Sequence, residues 1–497
     1  MESNAKSSYK SIFKANALFG GVQLYQILIQ VIRSKFIAVL LGPSGVGIQG
    51  LYTSATRLIS DISAMGLSQS AIRDVSEAFG TNDIRRVSRT VKILQRLIWF
   101  TGILGAVAVF ALSPVLSKTS FGNYEHTIPF MVLAVTLLFD QLCSGQKVVL
   151  QGTHRLKDLA KASAIGSTIG LIVSVPLYYW FGVKGIVPTL VLQSLTALLL
   201  SWYFSRKVKL EPVEISYKQT LKDGAGMLKL GLALCFSSIL VSLSSYVLRS
   251  FISNIGGTSE VGLYVAGFAI VNTYVGMIFT AISTDYYPRL AAVNTDNHKC
   301  RQMVNEQGEI ATLIMAPLLL ICIVFMPLVV YILYSDKFTA ANDYITWAIC
   351  GMLFKLASWV VGFQFVAKAE SKLFVINELS ASVYGLGLSI AGYMWKGLTG
   401  LGIAFLVKFL IYALQVYIIA HKRYGFYFTK DFLKLFVVQS ILLSMCIVIV
   451  LLADVQWKMY VFGSIAIVAS SLYSLKGLND RMALKDIVRN KKHTNNG

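Results

Sequence analysis

The sequence predicts an all-α protein that crosses a membrane many times, as two six-helix lobes related by a parallel internal repeat plus two C-terminal helices. Three observations predict it. Of the 497 residues, 55% are hydrophobic and only 14% charged, more apolar surface than one water-soluble core takes in. Windows of roughly 20 residues, the length that spans a bilayer as helix, give about fourteen candidate spans. Finally, "RSKFIAVLLGPSGVGIQG" at 33–50 returns as "RSFISNIGGTSEVGLYVAG" at 249–267, about 215 residues later.

Taken in order, the first six spans fall near 15–41, 46–72, 91–112, 129–150, 162–181 and 185–204. After a polar interruption, six more fall near 227–252, 261–284, 310–333, 344–367, 373–395 and 400–420, and a last two near 432–452 and 459–475. The expected division is an N-lobe at 1–210, a cytoplasmic linker at 211–225, a C-lobe at 226–425, and two extra helices with a basic tail at 426–497. Charge supports the count, because the gaps alternate between Lys/Arg-rich and Lys/Arg-poor. Arg85, Arg86 and Arg89 mark one rich gap, while 254–260 carries no cation at all. Both termini are therefore expected in the cytoplasm, and the first span is expected to anchor the chain rather than to be cleaved.

The duplication extends past its opening motif. "YYWFGVKG" at 178–185 matches "YMWKGLTG" at 393–400 at the same spacing, and "FGTNDIRRV" resembles "VNTDNHKCR". Six spans separate equivalent points, so both copies share one orientation in the membrane. Two-lobed transporters with a substrate site between the lobes have this arrangement, although duplicated bundles also occur in membrane enzymes and channels.

Six cations remain inside predicted spans: Arg33, Arg57, Lys147, Arg249, Lys355 and Lys408. Each costs about 2.5 to 3.5 kcal/mol at the centre of a lipid-facing helix. Six of them are expected to face a hydrated cavity instead. Asp61 and Asp140 are the clear carboxylates at the same depth, which leaves the cavity positive and makes these two the candidates for coupling protons. Polar rows at helical spacing support a common inward face: Gln23, Gln26, Gln30 and Arg33; Ser238, Ser242, Ser245 and Arg249; Asp140, Ser144, Lys147 and Gln151; Lys408, Tyr412 and Gln415. Competing readings are that the Ser and Gln rows bond neighbouring helices, that Arg57 pairs with Asp61 four residues on, and that Arg33 and Arg249 snorkel to the interface. Amides, hydroxyls and aromatic rings suit a sugar, and Arg and Lys suit phosphate. A glycan joined to a lipid by a diphosphate meets both requirements.

Other classes are disfavoured. The net charge of +21 lies mostly in short gaps, so it records topology rather than nucleic-acid binding. Six isolated cysteines lack ligand spacing, the five histidines form no HExxH, and no P-loop is present, so neither a metal, a cofactor nor ATP hydrolysis is expected.

The opening "SKFIAVLLGPSGVGIQG" and the later "LYSDKFTAANDYITWAICGMLFKLASWVVGFQFVAKAE" at 333–370 resemble the Wzx-type O-antigen and enterobacterial common antigen translocases, of the multidrug/oligosaccharidyl-lipid/polysaccharide exporter superfamily. The resemblance extends to about residue 428. It implies flipping of an undecaprenyl-diphosphate-linked oligosaccharide between leaflets of a Gram-negative inner membrane, by ion-coupled alternating access through a cationic lumen. It also implies a polysaccharide polymerase and a chain-length regulator in the same pathway. The rivals are an ion-driven multidrug exporter, whose cavity would be acidic, and a glycan polymerase or ligase, which would carry a large outward loop or an acidic motif.

Overall fold

The structure, a computed structural model, describes the backbone of residues 2–452 and 456–482, and the side chains within 21–481 except at 233, 274, 281, 284 and 453–456. In chain order the helices are α1 (Glu2–Ser63), α2 (Leu67–Gly80), α3 (Ile84–Phe121), α4 (Thr127–Gly152), α5 (Leu156–Phe181), α6 (Ile186–Ser205) and α7 (Tyr217–Phe268). Then follow α8 (Met277–Ala292), α9 (Asn297–Val324), α10 (Met326–Leu333), α11 (Ala341–Ala367), α12 (Ser371–Tyr424), α13 (Lys430–Leu452) and α14 (Gln456–Met482).

Ten helical stretches among the described residues are long and apolar enough to cross a membrane, and four of them run to 43, 47, 50 and 54 residues. A single crossing needs about 20, and each of the four is broken near its middle. Counting each of these twice gives the fourteen crossings expected from sequence. The breaks carry the repeat. Gly42 (φ 66°, ψ −171°) interrupts α1 and Gly257 (φ 82°, ψ 174°) interrupts α7. Gly182 (φ 53°, ψ −132°) ends α5 and Gly397 (φ 55°, ψ −134°) interrupts α12. All four lie in the left-handed half of the map, where a Cβ is strained. His154 and Ala369 form a third pair at the same offset, with φ 54° and 57°.

The other resembling stretch is matched too. The carboxylate of Asp83 accepts from the amides of Arg85 and Arg86 to start α3, and that of Asp296 accepts from His298 and Lys299 to start α9. The bond from the Lys299 amide, with that of His298 and the charge of Lys299, holds the exposed Asp296 carboxyl below its ordinary range. Repeat-equivalent backbone also meets directly: a Cβ on Gly47 would overlap the Thr258 carbonyl, and one on Gly262 would overlap the Pro43 carbonyl. Ser44 and Thr258 share a hydrogen bond of 2.7 Å at this turn.

Two expected spans are divided. The span drawn to residue 72 stops at Met65 (φ 49°) and Gly66 (φ 62°), and α2 begins a new amphipathic helix. Its buried Leu67, Ala71, Val75 and Ala78 pack on Val91 and Leu94 of α3 and Val148 of α4. The span drawn over 310–333 breaks at Phe325 because Pro327 supplies no amide there, and α10 starts afresh.

The chain divides into two compact units, Met1–Gly262 and Leu263–Gly497. In the first, α4 packs on α3 and α6; in the second, α11 packs on α9 and α12. These two helices are equivalent in the repeat, and their apolar windows are 44% and 67% buried. Each is the most enclosed of the spans lying wholly within its unit. The helices outside the repeat pack on α9: Gln439 on α13 bonds Ser470 and Ser474 on α14 at 2.7 and 2.9 Å, and Arg481 meets Glu309 at 2.6 Å. The six cysteines are free thiols, five of them buried.

Candidate substrate-handling residues within the spans

In the first unit, the guanidinium of Arg33 on α1 donates to the side-chain oxygen of Gln193 on α6 at 2.9 Å, inside the bundle rather than outward. Of its row, Gln26 is half-buried and Gln30 is exposed. Arg57 and Asp61 form the i, i+4 pair at 3.8 Å, but the Arg57 side chain is 77% exposed. An ion pair this long and open is weak. Asp61 also accepts from Ser242 on α7, so that serine row meets a carboxylate across a helix interface. Arg249 donates to the Gly50 carbonyl at 3.0 Å. On α4, Asp140 is exposed, is bonded by Ser194 of α6, and lies within the field of Lys147 two turns along. Ser144, from the same row, bonds Ser68 at 2.6 Å.

The second unit concentrates its charge. Lys355 lies on α11, and its ammonium donates to the Asn272 side-chain oxygen at 3.0 Å. Asn272 belongs to a π-helical segment, Ala269–Val275, that follows α7. Such single-turn π segments recur at functional sites. The Lys355 ammonium also sits 5.6 Å from the ring centre of Phe279 and 5.3 Å from that of Phe409. The ammonium of Lys408, the residue before that ring, lies 5.4 Å from the same Phe409 centre. Two cations thus flank one aromatic ring, each within cation–π reach.

Lys408 is seated by Gly385: any Cβ there would stand 2.7 Å from its Cε. Two turns earlier on the same face of α12, Glu378 accepts from the Tyr412 hydroxyl at 2.7 Å. Gln415 bonds Asn377 at 2.6 Å and Ser380 at 2.8 Å. For Tyr412 and Gln415 the helix–helix reading of their row therefore applies, while Lys408 lies in the field of Glu378. Glu378 is a carboxylate within a span that the sequence reading passed over. Its signal was the polar cluster Asn377, Glu378 and Ser380 inside an apolar run.

The kinks fix the register between the repeats, and the register pairs the site residues. Counted from Gly42/Gly257 and Gly182/Gly397, Asp140 corresponds to Lys355, Gln193 to Lys408, and Arg57 to Asn272. The longer motif ends in a structural clasp: Lys368 donates to Asn297 at 2.8 Å and to the Asn294 carbonyl, and Glu370 pairs with Arg423 at 2.7 Å. Arg423 holds the Glu370 carboxyl below its ordinary range.

Comparison with known proteins agrees with this arrangement. The Lipid III flippase of Escherichia coli (strain K12) is 22% identical over 382 residues, covering 74% of this chain and 88% of its own length. Two solved structures share the fold. One is an inward-facing multidrug resistance MATE family transporter of the MOP superfamily (TM-score 0.66, 16% identity, covering 80% of this chain and 94% of its own). The other is the lipid II flippase MurJ in an inward closed conformation (TM-score 0.65, 13% identity, covering 95% and 100%). All three are named as transporters or flippases, the class that the sequence reading set against an enzyme. The family described as "Polysaccharide biosynthesis protein" matches residues 36–343, from the opening motif through the start of α11, so this chain belongs to that family.

Proposed function

We propose that the chain is a flippase that moves an undecaprenyl-diphosphate-linked oligosaccharide, an O-antigen repeat unit, from the cytoplasmic to the periplasmic leaflet. The observation that carries this reading is the pair Lys355 and Lys408, two ammonium groups around Phe409; Lys355 bonds the neutral Asn272, and the carboxylate near Lys408, Glu378, leaves the cluster with a net positive charge. Such a pair is costly in a membrane unless an anion joins it. A diphosphate is that anion; within the first unit, Gln26 and Gln30 are the amides we assign to sugar recognition. The prenyl tail stays in lipid while the headgroup is exposed first to one side and then to the other. Arg33, Arg57, Arg249 and Lys147 add to the positive lining, with Asp61 and Asp140 as the carboxylates for ion coupling.

Two relatives are named for lipid-linked substrates, lipid III and lipid II, which supports this class of cargo. The Lys/Arg pattern supports cytoplasmic termini, and a bacterial inner membrane belongs to the same proposal through the family resemblance. A six-helix division at 1–210 and 226–425, and a polymerase and chain-length regulator acting on the product, belong to the same reading. A drug exporter, as in the MATE relative, would need an acidic site for cationic drugs; the sign at Lys355 and Lys408 is opposite.

The test is substitution in cells. Lys355→Gln or Arg249→Gln should abolish surface glycan and accumulate lipid-linked intermediate, with folded protein at wild-type level. Normal surface glycan in both variants would overturn the assignment.

A further inference from the structure

We propose that Lys355 and Lys408 form a dianion-binding subsite whose internal counter-ion is Glu378, which takes up a proton from water when a phosphate-bearing headgroup binds. This rests on the flippase reading above.

The geometry brings three charges together. Lys355 and Lys408 flank Phe409, at 5.3 and 5.4 Å from its centre. Lys408 lies over Gly385 in the field of Glu378, two turns away on the facing half of α12. Tyr412, one turn from Lys408, donates to Glu378 at 2.7 Å. The titratable groups facing Glu378 are therefore Lys408 and Tyr412 across the hairpin and Tyr384 on its own helix, with Lys355 on α11 acting through Lys408.

Charge balance gives the consequence. Without ligand, two ammonium groups and one carboxylate sum to a single positive charge. A diphosphate diester brings two negative charges and turns the site negative. A proton on Glu378 restores neutrality, and in a low-dielectric site neutrality is strongly favoured. Anion and proton therefore bind together, and the headgroup moves with one charge fewer. The linkage is reciprocal: protonating Glu378 must tighten anion binding by the factor by which the anion favours the proton. The first unit cannot do this, because the positions equivalent to Lys355, Lys408 and Glu378 hold Asp140, Gln193 and Ser163.

The experiment measures pyrophosphate binding to the full-length protein in lipid nanodiscs from pH 5 to pH 8, for wild type and Glu378→Gln. In the ratio of the two Kd values the ligand's own protonation cancels. That ratio, wild type over variant, should be lowest at pH 5 and greater at pH 8 by roughly 5- to 150-fold, the usual range of a coupling energy. A ratio that stays constant across the range overturns the role of Glu378. Absence of pyrophosphate binding to wild type at every pH overturns the anion site itself, and with it the flippase reading. A second measurement does not depend on the variant folding: infrared difference spectra of wild type should gain a protonated-carboxyl stretch on adding pyrophosphate. Its absence overturns the proton uptake.

Discussion

Asp140 and Lys355 stand at the same place in the two repeats, each on an enclosed central helix, and carry opposite charge. Around them the contrast continues, with Arg57 and Gln193 in the first repeat set against Asn272 and Lys408 in the second. The backbone tells the reverse story: the kinks at Gly42 and Gly257 and those at Gly182 and Gly397 agree within a few tens of degrees. The duplication keeps what the chain needs in order to bend and lets the chemistry on that frame diverge. On the proposal above, the paired lysines of the anion site are a feature of the second repeat alone.

The largest expected effect comes from imposing the first repeat's chemistry on the second. Lys355→Asp removes a charge-assisted bond, about 1.5 to 3 kcal/mol, and adds a repulsion, so pyrophosphate affinity in nanodiscs should fall by about 100-fold or more. Asp140→Asn, at the proposed ion-coupling position rather than at the two lysines, should leave pyrophosphate affinity within about twofold. Equal losses in the two variants would break the comparison.

Next come the kinks. A Cβ forced into the left-handed region costs about 1 to 3 kcal/mol, so Gly42→Ala and Gly257→Ala should lower thermal stability by similar amounts. Unequal shifts in Tm would show that the two bends are not equivalent.

A smaller effect tests the part of the second unit that has no counterpart in the first. Arg481→Met leaves Glu309, whose side chain is 13% exposed, without its ion-pair partner. The Arg481 side chain is 27% exposed, so the loss is about 1 kcal/mol after allowance for screening. Loosening of α14 should register as faster amide exchange there, with α3 and α4 unchanged.

The smallest effect is a pH dependence confined to the first unit. His126, ahead of α4, accepts from or donates to the Tyr52 hydroxyl at 2.6 Å and stacks on Phe121 at 3.6 Å. Burial holds its imidazole below the ordinary 6.5, against the opposing pull of Glu125. The unfolded chain therefore takes the proton first as pH falls. The stabilisation is complete above about 6.5 and is lost as pH drops through the folded-state value. His126→Gln should flatten the dependence of Tm on pH between 7 and 5, and an unchanged slope would assign it elsewhere. The equivalent position in the second repeat is Ala341, which has nothing to titrate.

Much of this was legible in the sequence. The apolar windows, the alternation of cations and the paired motifs define the crossings, because membrane insertion constrains length and charge strongly. The paired Gly-rich motifs mark where the spans bend. The division at Met65 and Gly66 was less visible, since a left-handed methionine has no composition signal. The cations within the spans were readable, but their partners were not. Gln193 lies 160 residues from Arg33, and Asn272 lies 83 from Lys355. Glu378 was overlooked because a carboxylate near a helix start resembles an interfacial one, until Tyr412 and Lys408 are placed against it.

The most direct test of the central claim is flipping itself, in proteoliposomes carrying a fluorescent undecaprenyl-diphosphate-linked oligosaccharide. Wild type and Arg481→Met should both translocate it, while Lys355→Gln and Lys408→Gln should leave it in the leaflet where it started. Translocation by the two lysine variants at the wild-type rate would contradict the account.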